Sequence, residues 1–200
     1  MPFRIFHIIL NIILWCIRHG QTNWNRDNKI QGTRNITLND AGRAEAYAVA
    51  ALLQGQNIEE IISSDLDRAG ETARIIGEAL HISVEYDARL REYDFGQFNG
   101  KSQFELAKHK AAFIKVPTAF GAEKFECFFD RVRLFMESID YNKNTLIVSH
   151  GGTMRFMMYY MNVGPVFDIQ KFIEQSLTAH IGNAAIFRIA SQNSKMERFG

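Results

Sequence analysis

The chain has 200 residues, a length that suffices to bury the core of one domain and gives no reason to expect a second. Its 23 lysines and arginines nearly balance its 22 aspartates and glutamates, which leaves a net charge of +1. Without a strong positive field, neither nucleic acid nor an anionic membrane is an expected partner. The two cysteines, Cys16 and Cys127, lack metal-ligand spacing and are predicted to be buried thiols in a reducing compartment.

The first ten residues form an unusual apolar leader. The stretch from Pro2 to Leu14 is apolar with Arg4 near its start, as in a secretory signal, but His7 and Asn11 interrupt it and no small-residue cleavage site follows. It is also too short to span a bilayer, which takes about 20 apolar residues. We therefore expect a cytoplasmic protein with an extended first strand and a leader that could equally reflect an upstream start codon.

Strands and helices are predicted to alternate along the chain. Short apolar runs indicate strands at 12–17, 59–63, 82–86, 145–148 and 184–189. Helical spacing indicates helices at 40–54, 67–80, 102–110, 123–139 and 154–161, of which the fourth carries an aromatic stripe that is predicted to be core. This alternation predicts one layered α/β domain over residues 1–200.

Two histidines follow predicted strands. Arg18, His19 and Gly20 come directly after the first strand, and His150 follows a later one. Ligands of open α/β sheets bind at the carboxyl ends of the strands, so both imidazoles are expected at that edge. Arginine binds tetrahedral oxyanions through paired donors, and an imidazole can act as a nucleophile or proton carrier near neutral pH. The pairing of Arg18 with His19 therefore predicts phosphate chemistry.

Three further features fit a phosphate site. Arg68 lies near the start of a predicted helix, where a cation is unfavourable unless it holds an anion; the alternative is an ordinary solvated side chain. Gly151–Gly152 precede a helix whose free amides can bind phosphate. Phosphate anions should raise the pKa of the Glu92 carboxyl above about 4.3 and keep it protonated as an acid. The alternative for Glu92 is an ion pair with Arg89 or Arg91.

In their order along the chain, these segments resemble the histidine phosphatase superfamily, which includes cofactor-dependent phosphoglycerate mutase. The resemblance covers roughly residues 12 to 190 and is carried by Arg18–Asn25, Gln31–Gly32, Leu38–Gly42, Ser63–Ala73, Leu90–Glu92 and Ser149–Gly152. It implies a three-layer α/β/α sandwich with a mostly parallel central sheet, as in phosphoglycerate mutase.

The resemblance also implies a role for each matching residue. His19 is expected to be the nucleophile that forms a phosphohistidine, with its other ring nitrogen bonded to a backbone carbonyl of the following loop. Arg18, Arg68 and His150 are expected to bind phosphoryl oxygens, aided by the Gly151 amide, and Glu92 to protonate the leaving group. Three residues are expected to be polar contacts around the phosphate, although any of them could instead be a turn residue: Thr22, Asn25 and Gln31.

No metal or other cofactor is predicted. The remaining histidines are scattered and have no second ligand at helical spacing: His7, His81, His109 and His180. The expected partner is a small-molecule phosphate ester. The sequence leaves open whether the chain forms a homodimer.

Three functions are compatible with the resemblance. Mutases follow the acid glutamate with an arginine and, two positions later, a tyrosine, and they carry a long basic insertion before the second histidine. Here Tyr93, Asp94 and Phe95 follow Glu92. The segment between Glu92 and His150 covers only residues 93–149, which leaves no room for such an insertion. A metal-independent phosphomonoesterase is therefore favoured over a mutase, in the small branch with alpha-ribazole phosphatase and broad-specificity phosphatases. A catalytically silent module that binds phosphorylated ligands or partners would need neither the two histidines nor the acid.

The segment at about 95–140 is expected to form a helical lid over the substrate. It departs from the pattern of this branch where Phe98-Asn99-Gly100 replaces Trp-Glu-Gly and where Gly121–Lys124 replaces Gly-Gly-Glu-Ser. Four phenylalanines could line an apolar pocket for a bulky alcohol, although most are expected to be core: Phe104, Phe113, Phe120 and Phe125.

Overall fold

The computed structural model of the chain describes residues 13–176, 181–190 and 196–199. The apolar leader predicted for residues 1–10 lies outside these ranges, as do His7 and His180. Among the helices that are described, none is long and apolar enough to cross a membrane.

Strands and helices alternate as predicted. The strands are β1 (Ile13–Arg18), β2 (Glu60–Ser63), β3 (Val84–Tyr86), β4 (Thr145–Ser149), β5 (Ile186–Ala190) and β6 (Met196–Phe199). The helices are α1 (Asn23–Arg26), α2 (Asp40–Leu53), α3 (Asp67–Leu80), α4 (Gln103–Lys108), α5 (Lys110–Lys115), α6 (Phe125–Ser138), α7 (Gly151–Val163) and α8 (Ile169–Ser176). Short 3-10 helices cover Ala88–Leu90, Gly96–Phe98 and Pro117–Phe120.

The strands form one sheet in the order β3-β2-β4-β1-β5-β6. The first four strands are parallel, whereas β5 and β6 are antiparallel to their neighbours. In the central pair, Arg18 at the end of β1 lies opposite Ser149 at the end of β4. The mostly parallel sheet is therefore confirmed, and its register brings His19 and His150 to the same edge.

Side chains on the central strands alternate between two cores. On β1, Leu14 and Cys16 pack with α6 and α7 on one face, whereas Trp15 and Ile17 pack with α2 and α3 on the other. A parallel strand buried on both faces is a continuous apolar run, as this one is. The two cores separated by a sheet confirm the three-layer α/β/α sandwich.

The aromatic stripe of α6 lies in the core, as predicted. Its buried members are Phe128, Phe129, Val132, Phe135 and Met136, and Phe125 packs against them. Cys127 lies on the other face of α6 and is exposed, so the prediction of two buried thiols was wrong for this residue and right for Cys16. The helical period decides the difference, because Cys127 falls outside the stripe. Burial raises the pKa of the Cys16 thiol to about 12.

The predicted polar helix at 102–110 is divided into α4 and α5. His109 takes φ −108° and ψ 6°, which ends α4 and redirects the chain. Phe113 on α5 is buried against the rings of Tyr93 and Phe95, whereas Phe104 on α4 is 68% exposed beside the Lys108 ammonium. Packing of Phe113 therefore sets the direction of the second helix.

The helix predicted at 154–161 is longer than expected and begins at Gly151. The strands at 82–86 and 184–189 are shifted to Val84–Tyr86 and Ile186–Ala190, and both α8 and β6 are additions to the predicted elements.

Phe129 holds the core between α6 and α7 together. Its ring lies 5.5 Å from that of Tyr159 and 5.3 Å from that of Phe167. Phe129→Ala should lower the free energy of unfolding by about 3–5 kcal/mol, because it removes buried surface and leaves a cavity. The matched control is Leu134→Ala on the same helix, where the side chain is half exposed and the loss should be about 1 kcal/mol or less. Urea titration measures both, and equal losses would contradict this account of the core.

Candidate active site

Five of the predicted site residues meet at the carboxyl edge of the sheet. Arg18 ends β1 and His19 follows it, while His150 separates β4 from α7. Arg68 is the second residue of α3, and Glu92 lies in the loop after the 3-10 helix Ala88–Leu90.

Hydrogen bonds at its two ring nitrogens hold His19 in one tautomer. Nδ1 lies 2.7 Å from the carbonyl oxygen of Gly20, and Nε2 lies 3.2 Å from Nε of Arg68. Because an arginine only donates, Nε2 is the acceptor and Nδ1–H donates to Gly20. The unprotonated nitrogen of His19 therefore faces the buried guanidinium.

Arg68 is fully buried, so the alternative of a solvated helix residue does not apply. Its Nη1 donates to the carbonyl of Arg34 and its Nη2 to the carbonyl of Gly32, both at 2.7 Å. Burial lowers the pKa of Arg68 to about 10, which still leaves a cation at neutral pH. The loop carbonyls thus fix a positive charge next to His19.

His150 and Arg18 each place one ring or guanidinium nitrogen at this edge that finds no partner in the described part of the chain. The His150 Nε2 lies 2.8 Å from the Ser64 hydroxyl, and its ring centroid lies 5.2 Å from that of His19. Arg18 donates through Nη1 to the carbonyl of Ile181 at 2.6 Å. Within the described residues, the buried Nδ1 of His150 and Nε of Arg18 have no hydrogen-bond partner. Such atoms are costly unless a ligand satisfies them, which fits an anion site.

Within the described ranges, the Glu92 carboxylate is held by backbone amides and forms no ion pair with an arginine. Its carboxylate accepts from the amides of Tyr93 and Gly152, each at 2.9 Å. A methyl group on Gly152 would lie 2.2 Å from the Glu92 carboxylate, so the close approach requires glycine. The alternative of an ion pair is not observed, because Arg89 pairs with Asp87 and Arg91 with Asp65.

Arg155 is a further cation that the sequence analysis missed. A methyl group on Gly151 would lie 3.5 Å from Nη1 of Arg155 and 3.6 Å from Nε of Arg18, so both guanidinium groups converge at the start of α7. The sequence alone could have indicated Arg155, because it follows Gly151 by four residues and therefore shares its helix face.

Thr22 and Asn25 form a cap at the start of α1. The Thr22 hydroxyl accepts from the amide of Asn25 and donates to its side-chain oxygen, which also accepts from Asn183. The mutual hydrogen bonds of Thr22 and Asn25 agree with the alternative that these two are turn residues. Gln31 is buried, and among the described residues its side-chain oxygen has no partner.

The two histidines are kept neutral by their surroundings. Burial, together with the charges of Arg68 and Arg18, holds the pKa of His19 well below its ordinary value. Burial and Arg68 do the same to the pKa of His150. Both imidazoles are therefore uncharged at neutral pH, and His19 keeps a lone pair on Nε2. In the described part of the chain, no group of three His, Cys, Asp or Glu residues could hold a metal ion.

Comparison with known proteins relates this chain to a family. The model of the histidine phosphatase superfamily (branch 1) matches residues 14–195. Phosphoglycerate mutase-like protein 4 of Arabidopsis thaliana is 37% identical over 152 residues, which cover 70% of this chain and 66% of that protein. Putative phosphoserine phosphatase 2 of Hydrogenobacter thermophilus is 30% identical over 195 residues and is covered to 91%, as is this chain.

Solved structures share the fold. A mycobacterial glucosyl-3-phosphoglycerate phosphatase in complex with VO3 matches with a TM-score of 0.75 at 23% identity, over 94% of this chain and 97% of that one. Phosphoserine phosphatase from Entamoeba histolytica in complex with 3-phosphoglyceric acid matches with a TM-score of 0.74 at 24% identity, over 94% and 95% of the two chains.

Acid should destabilise the fold through His19 and His150. In the unfolded chain both imidazoles take up protons below about pH 6.5, whereas in the folded chain their pKa values are lower. Their contribution to stability is therefore complete above that pH and declines as the pH falls from about 6.5 toward the folded-state values. Thermal unfolding between pH 8 and 5 measures the slope. The slope should be smaller in a His19→Gln, His150→Gln double variant, and an unchanged slope would count against buried neutral histidines.

Proposed function

Because the chain belongs to the histidine phosphatase superfamily, we propose that it is a metal-independent phosphomonoesterase of a small phosphorylated metabolite. The reaction would pass through a phosphohistidine on His19. The observation that carries the proposal is the unprotonated Nε2 of His19, held beside the buried guanidinium of Arg68. A neutral nitrogen next to a fixed cation is suited to attack an anionic phosphate.

In the first step, Nε2 of His19 attacks phosphorus and the bond to the leaving oxygen breaks. The transferred group carries negative charge on its oxygens, which must be met by donors already in place. Nε of Arg18 and Nδ1 of His150 have no other partner among the described residues and would donate to these oxygens. Nε of Arg68 would turn its hydrogen bond from the attacking nitrogen to a phosphoryl oxygen.

The leaving alkoxide needs a proton, and Glu92 is the proposed source. Its carboxyl lies against the start of α7, where the amide of Gly152 donates to it. In the second step the resulting carboxylate takes a proton from water, which attacks the phosphohistidine and releases inorganic phosphate and free His19. Each group ends the cycle in its starting state.

Hydrolysis is favoured over mutase activity by the residue after the acid. Tyr93 stands where mutases have an arginine, and it is buried with its hydroxyl donating to the carbonyl of Glu123. Its ring stacks on Phe125 at 5.0 Å. This position therefore offers no cation to hold a carboxylated substrate for a second phosphoryl transfer.

A silent binding module is less well supported. Such a module needs cations for its ligand, but it has no use for an unprotonated nucleophile or for an acid held by two amides.

A cytoplasmic location stays a prediction, supported by the free thiols of Cys16 and Cys127.

Removal of the nucleophile should abolish turnover. His19→Ala should lower p-nitrophenyl phosphate hydrolysis by on the order of a thousandfold or more, because no other group can form the intermediate. The wild type should acquire an acid-labile phosphoryl group that the variant lacks. Assays in EDTA between pH 5 and 8 measure this, with His109→Ala as a control at an exposed histidine. Equal activity in the His19 variant, or loss in EDTA that a divalent cation restores, would contradict the proposal.

Removal of the acid should act selectively on poor leaving groups. Glu92→Gln should slow glycerol 2-phosphate hydrolysis by about a hundredfold or more, because an alkoxide needs a proton. Hydrolysis of p-nitrophenyl phosphate should fall far less, since p-nitrophenolate leaves without one. The control is Glu78→Gln, an exposed residue of α3. If both substrates slow by the same factor, Glu92 is not the acid.

A further inference from the structure

Arg131 on α6 is bound to the loop that carries Glu92. Its Nη1 donates to the carbonyls of Arg89 at 2.8 Å and Arg91 at 2.7 Å, and its Nη2 donates to the carbonyl of Glu92 at 3.0 Å. The guanidinium also stacks over the Phe128 ring at 4.3 Å. One side chain thus contacts three backbone carbonyls within four consecutive residues.

Glu123 holds the same guanidinium from the other side. Its two carboxylate oxygens accept from Nε and Nη2 of Arg131, each at 3.1 Å. The backbone of Glu123 is joined to the acid loop as well, because its carbonyl accepts from the Tyr93 hydroxyl and its amide donates to the carbonyl of Asp94 at 3.0 Å. Arg131 and Glu123 therefore form a clamp around the loop from residue 89 to residue 94.

All five donors of the Arg131 guanidinium are used in this clamp, and none binds α6 itself. The loop has other anchors, since the hydroxyls of Ser149 and Thr153 hold the carbonyls of Leu90 and Arg91. Among the described residues, only Arg131 reaches the carbonyl of Glu92. The placement of that backbone decides where the Glu92 carboxyl lies.

We propose that Arg131, oriented by Glu123, is a positioning residue for the acid Glu92. The inference rests on the proposed function, because it assumes that Glu92 protonates the leaving group. The Glu92 side chain accepts only backbone amides in the described structure, so a shift of its own backbone moves the carboxyl away from the leaving oxygen. Arginine suits this role because a lysine has no planar fork to span carbonyls and a carboxylate together.

The test compares two esters in three variants. Arg131→Met should lower kcat/KM for glycerol 2-phosphate by about tenfold or more and that for p-nitrophenyl phosphate by less than about threefold, because only the first ester needs the acid. Arg131→Lys and the milder Glu123→Gln should show the same selectivity. The matched control is Arg133→Met on the same helix, where the side chain pairs with Asp130 and Glu137 and, among the described residues, forms no hydrogen bond with the loop that carries Glu92. Equal losses on both esters would show a merely structural role and overturn the proposal.

A double-mutant cycle asks whether Arg131 acts through Glu92. In a Glu92→Gln background, Arg131→Met should cause little further loss on glycerol 2-phosphate, because the group that it positions no longer donates a proton. Losses that multiply independently would overturn the inference.

Amide hydrogen exchange provides a readout that does not depend on turnover. The amides of Tyr93 and Gly152, which donate to the Glu92 carboxylate, should exchange at least about tenfold faster in Arg131→Met and unchanged in Arg133→Met. Unchanged exchange of both amides would overturn the positioning role. A wild type that hydrolyses neither ester would instead overturn the proposed function, so the two failures are distinguishable.

Discussion

The hydrogen bond from Arg68 to His19 is the interaction on which the site depends. It exists only while His19 is neutral, and burial beside two arginines provides that condition. The guanidinium is held in turn by the carbonyls of Arg34 and Gly32, so its position does not depend on a ligand. Burying an arginine and an imidazole side by side costs free energy, and it leaves donors already placed for an anion.

Close contacts at two glycines, Gly20 and Gly152, allow the residues of the site to lie together. A methyl group on Gly20 would lie 2.4 Å from the carbonyl oxygen of Gly42, so the loop after β1 touches the start of α2 directly. In the same loop, the Gly20 carbonyl accepts from Nδ1 of His19. At the other side of the site, Gly152 admits the Glu92 carboxylate to the first turn of α7. A side chain at position 20 would push two backbone segments apart, whereas a side chain at position 152 would displace the Glu92 carboxylate.

Glu92, the proposed acid, reaches the site from a different part of the fold. The histidines and Arg68 lie at the ends of strands or the start of a helix that follows one, whereas Glu92 lies on a loop that is clamped between the sheet and α6. Arg131 therefore connects the aromatic core under α6 and α7, where it stacks over Phe128, to the backbone of Glu92. The position of the proposed nucleophile, His19, therefore depends on strand register, whereas the position of the proposed acid, Glu92, depends on the packing of the helices.

The sequence by itself determined the alternation of elements, the buried character of β1 and β4, and the residues at their carboxyl ends. These features are local, because each follows from a run of apolar residues and the polar residue that ends it. Tertiary structure alone decided that Arg68 is buried, that Arg131 donates to the carbonyls of the loop that carries Glu92 and that His109 ends a helix. Arg131 and the carbonyls that it contacts are separated by about forty residues in the sequence. No local periodicity in the sequence encodes which carbonyls a guanidinium will contact once the helices pack.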